Sequence, residues 1–280
     1  RQLPMPSPPE SGEQILDHIA SAITPRTRVL SFCHIQYTDG TVMPVRELCR
    51  LCRDRGLVSV VDGAQAVGML DFKIRDLGCD VYATSLHKWL NGPYGTGLLV
   101  IREEMLDRVW PTVVTGNDGW DSVDRFGVSR DGSVVDFAAD WPRALLKFGA
   151  NLHYFGPLVW ALLPAIEHHE NLGQARIEAR IRHLAAILRE RLQGVPGIEF
   201  LTPESPELAA GLLSFRLPDT DTRALAVELR RDEDIIIRNV THAPVGFDVN
   251  RACTHIFNTE DDIDRLVEAL RRRVKAGRSG

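Results

Sequence analysis

Two hydrophobic runs, each leading to a chemically capable residue, constrain this chain more than any other feature. Val58-Ser59-Val60-Val61 ends at Asp62, and Val81-Tyr82-Ala83-Thr84 leads through Ser85-Leu86-His87 to Lys88. Near-continuous runs of this kind read as strands buried on both faces, the habit of parallel sheets. Helical patterns surround them. Ile15, Leu16, Ile19, Ala20 and Ile23 share one face of a helix predicted over 12–23, closed by Thr24-Pro25. A second amphipathic helix is predicted over 44–55, with Pro44 in its first turn and Gly56 as its stop, and a short helix or turn over 71–77. Strands are predicted at 29–33, 57–61, 79–85 and 97–101. This alternation predicts an α/β fold with a mostly parallel sheet.

Ligand sites in open α/β sheets lie beyond the carboxyl ends of the strands. Asp62 and Lys88 are therefore expected to share one cleft, the acid able to hold a protonated ring nitrogen and the lysine able to form an imine. Those are the minimal parts of a pyridoxal 5'-phosphate (PLP) site, a lysine Schiff base with an acidic partner for the pyridinium nitrogen. The wider pattern runs from His34-Ile35-Gln36-Tyr37-Thr38-Asp39-Gly40-Thr41 through Asp62-Gly63-Ala64-Gln65 and His87-Lys88-Trp89-Leu90. It continues with Gly92-Pro93-Tyr94-Gly95-Thr96-Gly97 and ends in Asn250-Arg251-Ala252-Cys253-Thr254-His255. In order and spacing it resembles the class V, fold-type-I PLP enzymes: aminotransferases, cysteine desulfurases, kynureninases and isopenicillin-N-epimerase-like proteins. The stretch from Asp62 to Gly97 looks closest to the last branch.

The resemblance implies a PLP-binding large α/β domain over 1–172, a small C-terminal α+β domain over 173–280, and work as a homodimer on an amino acid or amino-acid conjugate. The chemistry implied lies at Cα: aminotransferase, epimerase or β-lyase. Lys88 would form the Schiff base and then move the Cα proton, and Asp62 would keep the ring nitrogen protonated. Gln65 resembles the hydrogen-bond partner of the cofactor's phenolic oxygen, and Ser85 and His87 resemble phosphate contacts. Arg251 resembles the arginine that pairs with the substrate carboxylate, for which its planar fork is suited; Arg238 is the alternative. Each residue also has an ordinary reading: Asp62 as a helix N-cap, Lys88 and Arg251 as surface charges, Ser85 and His87 as turn residues.

Departures from the family pattern point the other way. Lys147-Phe148-Gly149-Ala150 stands where relatives have Glu-x-Gly-Thr, so a hydroxyl donor is lost at Ala150, with Asn151 as a substitute. Tyr37 replaces an asparagine found near the cofactor in desulfurases. Cys253 lies in the arginine strand and not in a mobile loop, which argues against sulfur mobilisation. Family members also carry a portion ahead of the position of Arg1 that contributes phosphate contacts and a ring stacked on the pyridine, so the resemblance implies an upstream segment. A catalytically inactive homologue serving as a binding or assembly partner is the rival reading.

Composition narrows the field further. A net charge of −5 gives no support to nucleic-acid binding. No apolar stretch approaches the roughly 18 residues of a membrane span. Five cysteines without a framework fit a reducing cytoplasm. Cys49 and Cys52 fall on one face of a predicted helix and read as core, not as a metal site. His168 and His169 are adjacent, a poor geometry for one metal on a helix. The glycines from Gly92 to Gly97 precede a strand, so they are not a dinucleotide fingerprint. In the C-terminal part, helices are predicted over 156–170, 174–192, 221–231 and 260–275, and strands over 198–201, 211–216, 235–238 and 251–257. The Gly/Asp/Ser-rich stretch 115–140 is predicted to be a loop beside the site or a plain insertion.

Overall fold

The computed structural model describes residues 1–110 and 156–277. The 115–140 stretch and the motif at Ala150 with Asn151 lie outside the described residues.

The first sheet has the order β1-β2-β3-β4 (Val29–Cys33, Val58–Asp62, Val81–Ser85, Gly97–Ile101), with β1, β2 and β3 parallel and β4 antiparallel to β3. The register sets Cys33 beside Asp62 and Asp62 beside Ala83, so β1 and β2 finish level and β3 runs on past them to Ser85. Helix α1 (Gly12–Ala22) is capped by Ser11, whose hydroxyl accepts from the N–H of Gln14, and α2 (Val45–Asp54) begins directly after Pro44. Their inner faces pack with the sheet: Ile15, Ile19, Leu48 and Cys49 cluster with Phe32, Val61 and Tyr82. Full burial of each large apolar side chain contributes about 1.5–3 kcal/mol. Cys49 and Cys52 are both buried on α2, as core packing requires. Ser59 interrupts the apolar run of β2 for a reason. Its N–H and hydroxyl donate to the buried Asp80 at 2.7 and 2.9 Å, and Asp80 also pairs with Arg102 at 2.5 Å.

A short helix α3 (Ile74–Leu77) leads into β3. Beyond the first sheet, α4 (Gly156–Trp160) and α5 (Leu162–Leu172) are separate pieces where the sequence predicts one helix. His168 is exposed and His169 buried, on different sides of α5. Helix α6 (Gln174–Gln193) then joins the two halves. Ile177 and Ile181 pack with Ile35, Ala66, Met69, Trp89 and Leu212, while Leu184, Leu188 and Leu192 enter the core of the second sheet. Glu178 on the same helix accepts the N–H of Asp71 at 2.6 Å, and Gln174 donates to the carbonyl of Leu70.

The second sheet is wholly antiparallel, in the order β5-β6-β8-β7 (Glu199–Phe200, Leu212–Arg216, Phe247–Cys253, Arg238–His242). It is covered by α6, α7 (Thr222–Glu233, capped by Asp221) and α8 (Glu260–Gly277). A mostly parallel sheet followed by an antiparallel sheet with helices is the architecture predicted. Two strands lie elsewhere than the sequence suggests. The run Ile235-Ile236-Ile237 is not strand and Ile236 is 70% exposed, whereas pairing starts at Arg238. The last strand runs through Phe247–Cys253, earlier than 251–257, because β7 and β8 form a hairpin around Ala243–Val245 and Gly246. Gly246 has φ 66, the left-handed turn position that glycine fills without steric cost.

Candidate active site

The carboxyl ends of β1, β2 and β3 gather most of the predicted residues. Asp62 closes β2 as an exposed carboxylate, and its Oδ1 accepts the N–H of Ala64 at 2.8 Å. The residues that follow, 64–69, are turn and not helix, so Asp62 is not the helix N-cap of the ordinary reading, and the bond occupies only one of its two oxygens. Lys88, three residues past β3, is exposed and makes no ion pair among the described residues. Both charges act on one atom, the Cys33 thiol at the end of β1. Burial pushes that thiol up to about 11, the Asp62 charge adds to the rise, and Lys88 opposes it.

The Asp62 turn rests on buried aromatic groups. Tyr82 is fully buried, its hydroxyl 3.0 Å from Nδ1 of the buried His34, with Phe72 edge-on to the His34 ring. Gly63 lies directly against the phenol: a Cβ there would sit 2.1 Å from the Tyr82 hydroxyl and 2.2 Å from two ring carbons. The backbone on either side is tied as well. His34 N–H donates to the Asp62 carbonyl at 2.7 Å, Gly63 N–H to Ala83 at 2.7 Å, and the Thr84 hydroxyl to the Gly63 carbonyl at 3.0 Å. Burial lowers the His34 pKa to about 4, so its ring is neutral at pH 7. Burial, with the Cys79 and Asp62 charges behind it, raises Tyr82 and keeps the phenol protonated.

Gln65 is half-buried and its Oε1 accepts from the Trp89 indole at 2.8 Å, which joins the Asp62 turn to the lysine loop. Ser85, the last residue of β3, is half-buried and its hydroxyl has no hydrogen bond among the described residues. His87 packs against Tyr94 and its Nδ1 lies 3.3 Å from the Thr96 carbonyl. A carbonyl only accepts, so Nδ1 carries the hydrogen. A neutral ring then presents a lone pair at Nε2, and donating to a phosphate requires the imidazolium.

Arg251 reaches the same rim from the second sheet. One guanidinium nitrogen donates to the carbonyl of Tyr37, just past β1, and its Nε is buried without a partner among the described residues. Segment 37–40 is clamped onto this sheet: the Ser214 hydroxyl donates to Thr38 and the Thr202 hydroxyl to Asp39. Gly40, at φ 79, has no room for a side chain, since a Cβ would meet the Leu212 carbonyl at 2.5 Å. Arg238 is the direct cross-strand neighbour of Arg251 and is exposed. Directly opposed residues share a face, and like charges there repel. The two carboxylate-binding candidates named from the sequence thus stand side by side on the second sheet. Cys253 ends β8, in the strand and not in a loop.

Residues 3–266 match the aminotransferase class-V family. The chain belongs to that family. It is 36% identical over 271 residues to the isopenicillin N epimerase of Amycolatopsis lactamdurans, covering 93% of this chain and 64% of that protein. With the Streptomyces clavuligerus isopenicillin N epimerase the identity is also 36%, over 96% of this chain and 66% of the relative. A probable cysteine desulfurase of Xylella fastidiosa is 32% identical over 93% of this chain. The chain thus spans just under two thirds of the length of the curated relatives it matches, 64% and 66% for the two epimerases. Among solved structures, a cystine C–S lyase with its product cysteine persulfide superposes with a TM-score of 0.77 at 28% identity, covering 91% of this chain and 64% of that one. The cysteine desulfurase of Thermococcus onnurineus gives 0.78 at 26% identity, covering 93% and 63%. A variant of the same lyase carries glycine covalently linked to its PLP cofactor. The fold is that of the fold-type-I PLP enzymes.

The groups present fit PLP. Among the described residues, a carboxylate with one oxygen uncommitted, a lysine without an ion pair on the same rim, an amide with its NH2 free and an unbonded serine hydroxyl match a pyridinium nitrogen, an aldehyde, a phenolic oxygen and a phosphate. His34, Tyr82 and His255 were not singled out from the sequence as parts of the site. Only their place in or beside the quoted motifs hinted at them.

Proposed function

We propose that this protein is a PLP-dependent enzyme that moves the proton on Cα of an amino acid or amino-acid conjugate, in the manner of an epimerase. One observation carries the reading: Asp62 and Lys88 stand on the rim of adjacent parallel strands, each with a functional atom free of other partners among the described residues. Lys88 would hold the cofactor and then, with its amine released, take and return the Cα proton. PLP, when bound, supplies the electron sink that makes that proton removable. Asp62 would offer its second oxygen to the ring nitrogen, a charge-assisted bond. Ser85 and His87 would hold the phosphate.

Arg251 and Arg238 would bind the carboxylate end of the substrate and so fix the direction of the Cα–H bond. The 36% identity to two epimerases favours return of the proton to Cα as the outcome. The place of Cys253 within β8 is a second support, since sulfur mobilisation calls for a mobile thiol. The protein would act as a homodimer in the cytoplasm. All five cysteines are free, as a reducing compartment favours, and no helix among the described residues is long and apolar enough to cross a membrane. The test is solvent-deuterium incorporation at Cα, with PLP supplied and a panel of L- and D-amino acids and peptide conjugates. Exchange that disappears in Lys88→Ala supports the reading; no exchange with any member of the panel contradicts it.

A further inference from the structure

The lysine loop is tied to the second sheet by a histidine whose hydrogens are assigned by its partners. His255 follows β8 and is buried. Its Nε2 lies 3.1 Å from the carbonyl oxygen of Trp89, and a carbonyl only accepts, so Nε2 carries a hydrogen. Its Nδ1 accepts the N–H of Ile256 at 2.8 Å, so Nδ1 carries none. The ring is therefore neutral and locked in one tautomer, and burial, the largest influence on it, lowers its pKa and keeps it so. It lies flat on the Trp89 indole, with centroids 5.1 Å apart and planes 10° from parallel, and Phe257 stacks on it at 4.4 Å.

The next contact is equally directional. The Trp89 indole nitrogen is a donor and cannot accept. Its bond to Gln65 at 2.8 Å consequently fixes which end of that amide is the oxygen. An amide whose oxygen faces the indole has its NH2 group as the remaining free end. A Gln65 turned the other way would set two donors against each other and lose the bond.

We propose that Trp89 and His255 are positioning residues that hold Gln65 with its NH2 group as the donor offered to the cofactor's phenolic oxygen, one residue away from Lys88. The proposal rests on the PLP reading and adds to it a direction of hydrogen bonding and a dependence on the second sheet. Without the indole N–H the amide can turn its oxygen toward the phenolic oxygen, where two acceptors repel. Without the His255 donor the Trp89 carbonyl is buried unpaired, and the loop that carries Lys88 relaxes.

Two variants test this with little change of shape: Trp89→Phe keeps a ring and removes the N–H, and His255→Phe keeps the stack and removes the Nε2 donor. Two readouts are needed. Without cofactor, 1H–15N NMR should show a slowly exchanging Trp89 indole N–H, identified by its loss in Trp89→Phe, that exchanges faster in Gln65→Ala and in His255→Phe. The His255 ring should show the neutral Nε2–H tautomer from pH 6 to 8. With PLP, Trp89→Phe should weaken cofactor affinity about fivefold to tenfold, the worth of one hydrogen bond. It should also raise the pH midpoint of the lysine-linked cofactor's visible band, because the phenolate loses a donor. His255→Phe should shift both in the same direction. An indole signal indifferent to Gln65→Ala and His255→Phe overturns the proposal. So does a Trp89→Phe protein with unaltered PLP affinity and midpoint. If the parent chain binds no PLP at all, the functional reading fails, and the NMR arm still decides whether the relay holds Gln65.

Discussion

Gly63→Ala is the sharpest perturbation of the Asp62 turn. The added Cβ would stand 2.1 Å from the Tyr82 hydroxyl and 2.2 Å from Cε1 and Cζ, against the usual contact of about 3.5–4.0 Å between carbon atoms. Gly63 is not among the glycines with positive φ, so backbone strain plays no part and the effect is purely steric. The usual backbone benefit of replacing glycine by alanine, about 0.4–1 kcal/mol, would otherwise stabilise the protein. Tyr82 has no exposed surface through which to yield and its hydroxyl is held at His34, so the turn must lift or the core must open. Overpacking of a tight core costs about 1–3 kcal/mol, and an overlap well beyond 1 Å belongs at the upper end, giving about 3 kcal/mol against alanine's gain. Urea unfolding of Gly63→Ala, Tyr82→Leu and the double variant measures this as a cycle. The single change at Gly63 should destabilise strongly. In the Tyr82→Leu background, where the overlapping atoms are gone, it should cost at least about 2 kcal/mol less. A Gly63→Ala protein as stable as the parent, or a coupling near zero, would refute the packing argument.

Three further outcomes follow from the same geometry. His34 is buried with a pKa lowered from 6.5 to about 4, so the unfolded chain binds the extra proton first. Its contribution, at most about 3 kcal/mol, is complete above pH 6.5 and is lost as pH falls through 4; His34→Leu should flatten that part of the urea-midpoint profile. Asp62→Asn keeps the shape of the turn and the Ala64 contact but removes the charge offered to the ring nitrogen. Cα exchange should fall about 10- to 100-fold in kcat with the fold intact by circular dichroism, and an unchanged rate would remove Asp62 from the chemistry. Arg251→Ala should raise KM for carboxylate-bearing substrates about 10- to 100-fold, and Arg238→Ala should do so more weakly, since only Arg251 is anchored at Tyr37. Equal KM values for an amino acid and its amide in the parent protein would contradict both roles.

The first sheet was legible because its information is local. Apolar runs of strand length, Pro44 at a helix start and the polar residues Asp62 and Ser85 ending β2 and β3 are readable within ten residues of themselves, and the strands at 29–33 and 97–101 fall where the pattern puts them. The hairpin of the second sheet was not. Three consecutive isoleucines outweighed the weaker alternation of Arg238–His242, where only Val240 is buried, and the turn at Gly246 shifted β8 by several residues. Within the site, the residues bearing charge or an amine could be named from their motifs. Their supports could not, because those bonds join distant parts of the chain: His34 to Tyr82 across 48 residues, Trp89 to His255 across 166, and Tyr37 to Arg251 across 214. No periodicity or spacing encodes such a contact. The donor direction at Gln65 depends on the indole placed against it, so it is a property of the fold alone.

The most direct test of the central claim is borohydride reduction of the purified chain incubated with PLP, followed by peptide mass mapping, with Lys88→Ala alongside. The account predicts a single pyridoxyl adduct on the peptide containing Lys88, absent from the variant. An adduct spread over surface lysines, or one that survives Lys88→Ala, would contradict it.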